Sequence, residues 1–163
     1  MQLRLLVFNE FYCKNFNSLH RQIICICSFM ISSNIDGQLT KSNNIAIVDD
    51  ERDLLFVYKK ALESKDFKVN AFDDSYEALN ELRVHHEKYC LVISDVRMPK
   101  VDGFQLVNEI KMIDPTLRVI LMSAYCISES DIMDNLNPGV RIDKFITKPI
   151  SLNNLIDIIQ SIT

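Results

Sequence analysis

The residues best suited to chemistry are Asp49 and Asp50, Asp95, Ser123 and Lys148. Each follows a short apolar run: Ile45–Val48, Cys90–Ile93, Val119–Met122 and Phe145–Thr147. If those runs are neighbouring strands, three carboxylates, a hydroxyl and an ammonium converge on one edge. Crowded carboxylates repel and stay ionised only where a cation shares the site. Oxygen ligands with room for water suit Mg²⁺ better than zinc. Such a metal and the Lys148 ammonium would neutralise a phosphoryl group, to which Ser123 could donate a hydrogen bond. Asp95 could be the nucleophile, its carboxylate attacking phosphorus to give an acyl phosphate.

Taken singly, each residue has a plainer reading. An acidic pair, a lone Asp or a Ser after a strand is commonly a turn or helix cap, and a Lys before Pro is commonly solvated surface. The joint placement at four strand ends sets these residues apart.

The positioning elements are legible as an alternation. Ile45–Val48 is a continuous apolar run, the pattern of a strand buried on both faces. Residues 52–64 then show helical spacing in Leu54, Leu55, Val57, Tyr58, Ala61 and Leu62. Phe67–Phe72 fits a second strand, and Asp73-Asp74-Ser75 offers cap chemistry for a helix to about residue 84. Cys90–Ile93 is a third strand, and a helix begins after Asp102-Gly103 with Pro115 beyond its end. Val119–Met122 is a fourth strand, with a shorter helical stretch near 128–136. Phe145–Thr147 is a fifth, and Ser151 caps a last helix with Leu152, Leu155, Ile156, Ile158 and Ile159 on its buried side. Five strands alternating with five helices predict an α/β fold with a parallel sheet, and chemistry gathers at the carboxyl ends of such strands. The interval from Asp50 to Asp95 fits two βα units, and the next two intervals fit one each.

The 163 residues hold one domain of ordinary size and an extension. Of the net charge of −4, residues 1–43 carry +2 and residues 44–163 carry −6. An acidic balance argues against duplex binding. The boundary falls in the polar stretch between Ser32 and Asn44, giving an extension over 1–43 and a domain over 44–163. The extension has one apolar run, Ile23–Ile31, too short to span a bilayer as a helix. It reads as a signal-peptide core, as an amphipathic or partner-binding segment, or as sequence upstream of a true start at Met30. Five Cys without a C-x-x-C pair predict reduced thiols in a cytoplasmic protein. Cys25, Cys27 and His20 lack a second Cys pair for a metal. Cys90 and Cys126 read as core or near-core fillers, and the adjacent His85 and His86 as surface. Tyr125 borders the pocket or covers the sheet edge.

Four segments together resemble the receiver domains of two-component response regulators: Ile45-Ala46-Ile47-Val48-Asp49-Asp50-Glu51; Ser94-Asp95-Val96-Arg97-Met98-Pro99 with Asp102-Gly103; Met122-Ser123-Ala124; and Phe145-Ile146-Thr147-Lys148-Pro149. The resemblance covers about three quarters of the chain. It implies a doubly wound, flavodoxin-like fold with five parallel strands in the order 2-1-3-4-5, flanked by five helices. It implies that Asp95 accepts phosphate from a histidine kinase or phosphotransfer protein. Asp49, Asp50 and Asp95, with the backbone carbonyl of Arg97, would hold Mg²⁺, and Lys148 would bind the phosphoryl group. Ser123 and Phe145 would be the switch residues, reshaping the face of helix four, strand five and helix five for a downstream protein effector. Ala124 matches the small residue beside the site. Adding about two negative charges at Asp95 would bias a two-state equilibrium. Phe145 lacks a tyrosine's hydroxyl, so a switch there rests on packing.

Departures from the pattern fall between Ser123 and Phe145, where Asn137-Pro138-Gly139 breaks the fourth helix and Val140-Arg141-Ile142 follows. The sequence ends at Thr163, straight after the last helix. A stand-alone switch is therefore expected: no DNA-binding output, no membrane span, a monomer or phosphorylation-dependent dimer, and at most slow self-dephosphorylation. One rival is a pseudo-receiver, a pure interaction module, although its pocket positions are all filled. The other is an Mg²⁺-dependent phosphatase of the haloacid dehalogenase type. There the nucleophile comes first in a D-x-D-like motif and the acidic pair last; here the pair comes first and Arg97 stands two past Asp95.

Overall fold

The computed structural model of the protein describes residues 43–163; the expectations for residues 1–42 lie outside the described residues. The elements run β1 (Asn44–Val48), α1 (Arg52–Glu63), β2 (Lys68–Phe72), α2 (Ser75–His85), a 3₁₀ turn (His86–Lys88), β3 (Tyr89–Asp95), α3 (Gly103–Ile113), β4 (Arg118–Ser123), α4 (Glu129–Asn135), β5 (Lys144–Thr147) and α5 (Leu152–Ile162). All strand pairings are parallel, and the order is β2-β1-β3-β4-β5. The doubly wound order implied by the resemblance is the observed one.

The continuous apolar runs have their cause in this layering. Successive strand residues point to opposite faces, and both faces are covered. Ala46, Val48, Val92, Val119 and Leu121 pack under α2 and α3 against Ala78, Leu79, Leu82, Leu106, Val107 and Ile110. Ile45, Ile47, Leu91, Ile93, Ile120 and Met122 face α1 and α5, against Leu55, Tyr58, Leu62, Leu155, Ile156 and Ile159. Two residues expected inside are outside: Val57 is 43 % and Leu152 36 % exposed. Val57 falls off the stripe formed by Leu55, Tyr58 and Leu62, and Leu152 sits in the first turn of α5, before the helix reaches its buried stretch. Cys126 is also exposed rather than a core filler.

The helix starts follow the cap residues. Asp74 accepts from the backbone N–H groups of Tyr76 and Glu77, Ser151 from that of Asn154, and Asp102 and Gln105 form a reciprocal capping box. α4 is short and ends at Asn135, with Leu136 as its C-cap. Gly139 then adopts φ +87°, a left-handed conformation that favours glycine. No described helix is long and apolar enough to cross a membrane.

Candidate functional site

The sheet order reverses between β1 and β3, and the carboxyl ends of those strands flank the resulting crevice. β1 delivers Asp49, β3 ends in Asp95, β4 ends in Ser123, and Lys148 follows β5. Register keeps them level: Asp95 lies opposite Met122, and Ser123 opposite Thr147. The backbone N–H of Lys148 donates to the carbonyl of Ser123 at 2.7 Å.

The structure brings Asp49, Asp95 and Lys148 into direct contact. Lys148 Nζ donates to Asp49 Oδ2 at 2.7 Å and to Asp95 Oδ1. Asp49 is 1 % and Asp95 7 % exposed. Two buried carboxylates this close need a shared cation, and the Lys148 ammonium supplies it. Burial presses the Lys148 pKa down, but its hydrogen bonds to Asp49 and Asp95 outweigh that and leave it raised. The remaining carboxylate oxygens are oriented by backbone. Asp49 Oδ1 accepts from the N–H of Glu51 at 2.9 Å, and Asp95 Oδ2 from that of Arg97 at 2.7 Å.

Asp50, Ser123 and Phe145 stand outside this three-way contact. Asp50 is exposed and lines a cleft of about 550 Å³ with Val96, Arg97, Met98, Pro99, Asp102 and Phe104. Ser123 is buried, and its Oγ accepts from the N–H of Tyr125 at 3.0 Å; among the described residues no hydrogen bond joins it to Asp95. Phe145 is half-buried against the α2–α3 side of the core. The Arg97 guanidinium stacks on the Tyr125 ring, 4.0 Å from its centroid.

One residue quoted only as part of a motif has a physical task here. A Cβ on Gly103 would lie 2.3 Å from the Asp95 carbonyl oxygen and 2.9 Å from Val96 Cα. The start of α3 therefore presses against the backbone at the end of β3, and only glycine fits. A glycine straight after the cap Asp102, where a better helix former would be expected, was the sequence's signal.

Metal chemistry can be judged from the donors. Among the described residues no three His, Cys, Asp or Glu side chains form a ready cage. Asp50 and Arg97 line the cleft, as does Val96, the residue after Asp95; the carboxylates of Asp50 and Asp95 with the Arg97 carbonyl would make an all-oxygen set. That fits a cation that keeps waters and takes one or two carboxylates beside phosphate oxygens, as Mg²⁺ does.

A family model described as the response regulator receiver domain matches residues 45–160. The chain belongs to that family. It is 30 % identical over 128 residues to two-component response regulator ARR14 of Arabidopsis thaliana, covering 78 % of this chain and 33 % of that protein. It is 29 % identical over 119 residues to response regulator receiver protein CpdR of Brucella abortus, covering 71 % of this chain and 92 % of that one. The chain thus spans only about a third of the Arabidopsis regulator and nearly all of the Brucella protein. Among solved structures it resembles one of the CheX–CheY–BeF3–Mg²⁺ complex from Borrelia burgdorferi, with a TM-score of 0.64, 26 % identity, and coverage of 72 % of this chain and 87 % of that one. The receiver family and its fold, expected from four motifs, are established by these likenesses.

Proposed function

We propose that this receiver is the phosphoacceptor switch of a two-component phosphorelay, with Asp95 as acceptor. The observation that carries the reading is the Asp95 carboxylate itself. It sits at the end of β3, gripped by the Lys148 ammonium and the Arg97 N–H, and the residues that follow it, Val96 and Arg97, line an open cleft. A carboxylate oxygen forms a bond to phosphorus as the bond to the donor histidine nitrogen breaks, leaving an acyl phosphate. Asp50, Asp95 and the Arg97 carbonyl, supported by Asp49, would hold Mg²⁺, which when bound neutralises charge on the transferring group. Lys148 holds the acceptor in place and offers its charge to the phosphoryl oxygens. Ser123 turns its hydroxyl to the new group, a charge-assisted hydrogen bond, and Phe145 repacks. The face formed by α4, β5 and α5 then changes for a protein effector. On this reading residues 44–163 are the working domain, it acts in the cytoplasm, and it does not itself bind DNA.

Incubation with Mg²⁺ and acetyl phosphate, read by intact mass, tests this. The wild type gains one phosphoryl group and Asp95→Asn gains none. Labelling of neither would favour a pure interaction module, and sustained turnover of phosphate esters would favour a phosphatase.

A further inference from the structure

α4 is the least anchored helix of the described domain. Every other helix buries at least three residues, whereas α4 buries none, and its Met133 is 73 % exposed. Ile132 and Leu136 only half-bury against the core. At its N-terminus the helix is held by its own capping box, Ser128 with Asp131. Its C-terminus is held from outside. On α3, Asn108 Nδ2 donates to the Asn135 carbonyl at 3.0 Å, and Asn108 Oδ1 accepts from the Asn137 N–H at 2.8 Å. One amide side chain thus spans the end of α4, using its donor and its acceptor together. Immediately beyond lies the Asn137-Pro138-Gly139 turn, closed by the Val140 N–H on the Asn137 carbonyl at 2.9 Å.

We infer that Asn108 is a latch that holds α4 in its resting position and opposes activation at Asp95. The coupling rests on the phosphoacceptor reading of Asp95. In the latched structure Ser123 Oγ accepts from the Tyr125 N–H rather than meeting Asp95. Ser123 connects to α4 through only five residues, Ala124–Ser128. Turning Ser123 toward a phosphoryl group breaks its bond to Tyr125 and displaces the segment leading into α4. With the C-terminal end of α4 tied to α3 by Asn108, that displacement is opposed; with the Asn108 bonds gone, the far end follows. Any ligand at Asp95 that moves α4 must therefore work against the latch, and by linkage removing the latch tightens that ligand's binding.

Hydrogen exchange of the full chain tests the latch, with wild type, Asn108→Ala and Asn108→Asp in Mg²⁺ alone and with added beryllofluoride. Asn108→Asp keeps the shape and the acceptor but loses the donor. In Mg²⁺ alone, peptides covering 129–137 should exchange about threefold faster or more in both variants, the scale expected for losing one or two exposed hydrogen bonds. Peptides covering β1, β3 and β4 should be unchanged, which shows that the fold is intact. The beryllofluoride concentration giving half the full change should fall about threefold or more in Asn108→Ala. Unchanged exchange of 129–137 in both variants overturns the latch. Faster exchange there with an equal or higher half-saturating concentration overturns its opposition to activation. A wild type with no beryllofluoride response overturns the phosphoacceptor reading, and the coupling falls with it.

Discussion

At the scale of single residues, the site is a problem of charge and space. Lys148 is the only cation in hydrogen-bond contact with Asp49 and Asp95 among the described residues. Lys148→Met keeps the length and removes the charge, leaving two buried carboxylates facing each other. Breaking a buried pair in this way costs about 3 kcal/mol, so the urea midpoint without divalent metal should fall sharply. Mg²⁺ should restore part of the loss, because a divalent cation can take over the neutralisation; no recovery would count against a metal site beside Asp95. Gly103 is limited by space. Gly103→Ala would place its Cβ 2.3 Å from backbone, and the resulting shift of α3 should cost about 2 kcal/mol, measurable by urea unfolding. Arg97 is the contrasting case. Its proposed contribution is a carbonyl, so Arg97→Ala should still label with acetyl phosphate while losing the stack on Tyr125.

At the scale of elements, propensity and capping decide where helices start. Asp102 and Gln105 each satisfy a backbone group of the other at the head of α3. Asp102→Ala should destabilise the domain by about 1 kcal/mol, and a smaller loss would mean that packing of Gly103 alone fixes the helix start. These starts were legible because a cap is a local signal: Asp74, Asp102 and Ser151 stand in sequence next to the helices they begin. The strands were legible because burial on both faces leaves unbroken apolar runs such as Ile45–Val48 and Val119–Met122. The convergence of Asp49, Asp95 and Lys148 followed from chain order alone, since parallel strands present their carboxyl ends on one edge. What the sequence could not supply was contact between elements remote along the chain. Asn108 reads as an ordinary polar residue on α3, and only the folded chain carries it to Asn135 and Asn137. The stacking of Arg97 on Tyr125 was hidden for the same reason. Val57 and Leu152 show the opposite limit, since apolar type at near-helical spacing did not guarantee burial.

At the scale of the whole molecule, the buried and capped titratable groups set the pH range of stability. Tyr58 is pushed above its ordinary 10.0 mainly by desolvation, and the nearby Lys148 charge only partly offsets this. Burial likewise raises Tyr89, against the opposing hydrogen bond from Asn70. A group whose folded pKa is raised contributes stability that is complete below its unfolded value and lost as pH rises through the folded one. These tyrosines, with Lys148, therefore make an alkaline limb that begins at about pH 10. The acidic limb has the opposite sign. The Lys100 hydrogen bond holds Asp74 below its ordinary value, and the Ser128 hydrogen bonds hold Asp131 below its own. At Asp114, burial pushes upward but is outweighed by hydrogen bonds from Thr116. A depressed carboxylate contributes stability above its unfolded value, about 3.9, that is lost as pH falls through the folded one. Urea midpoints measured across the range should therefore fall at both ends, below about pH 4 and above about pH 10. Tyr58→Phe separates the alkaline contributions, because it keeps the ring in the α1–sheet core and removes the ionisation. Its midpoint should decline less steeply above pH 10 than that of the wild type. Two parallel curves would show that Tyr58 ionises as readily in the folded chain as in the unfolded one, against the burial that surrounds its ring.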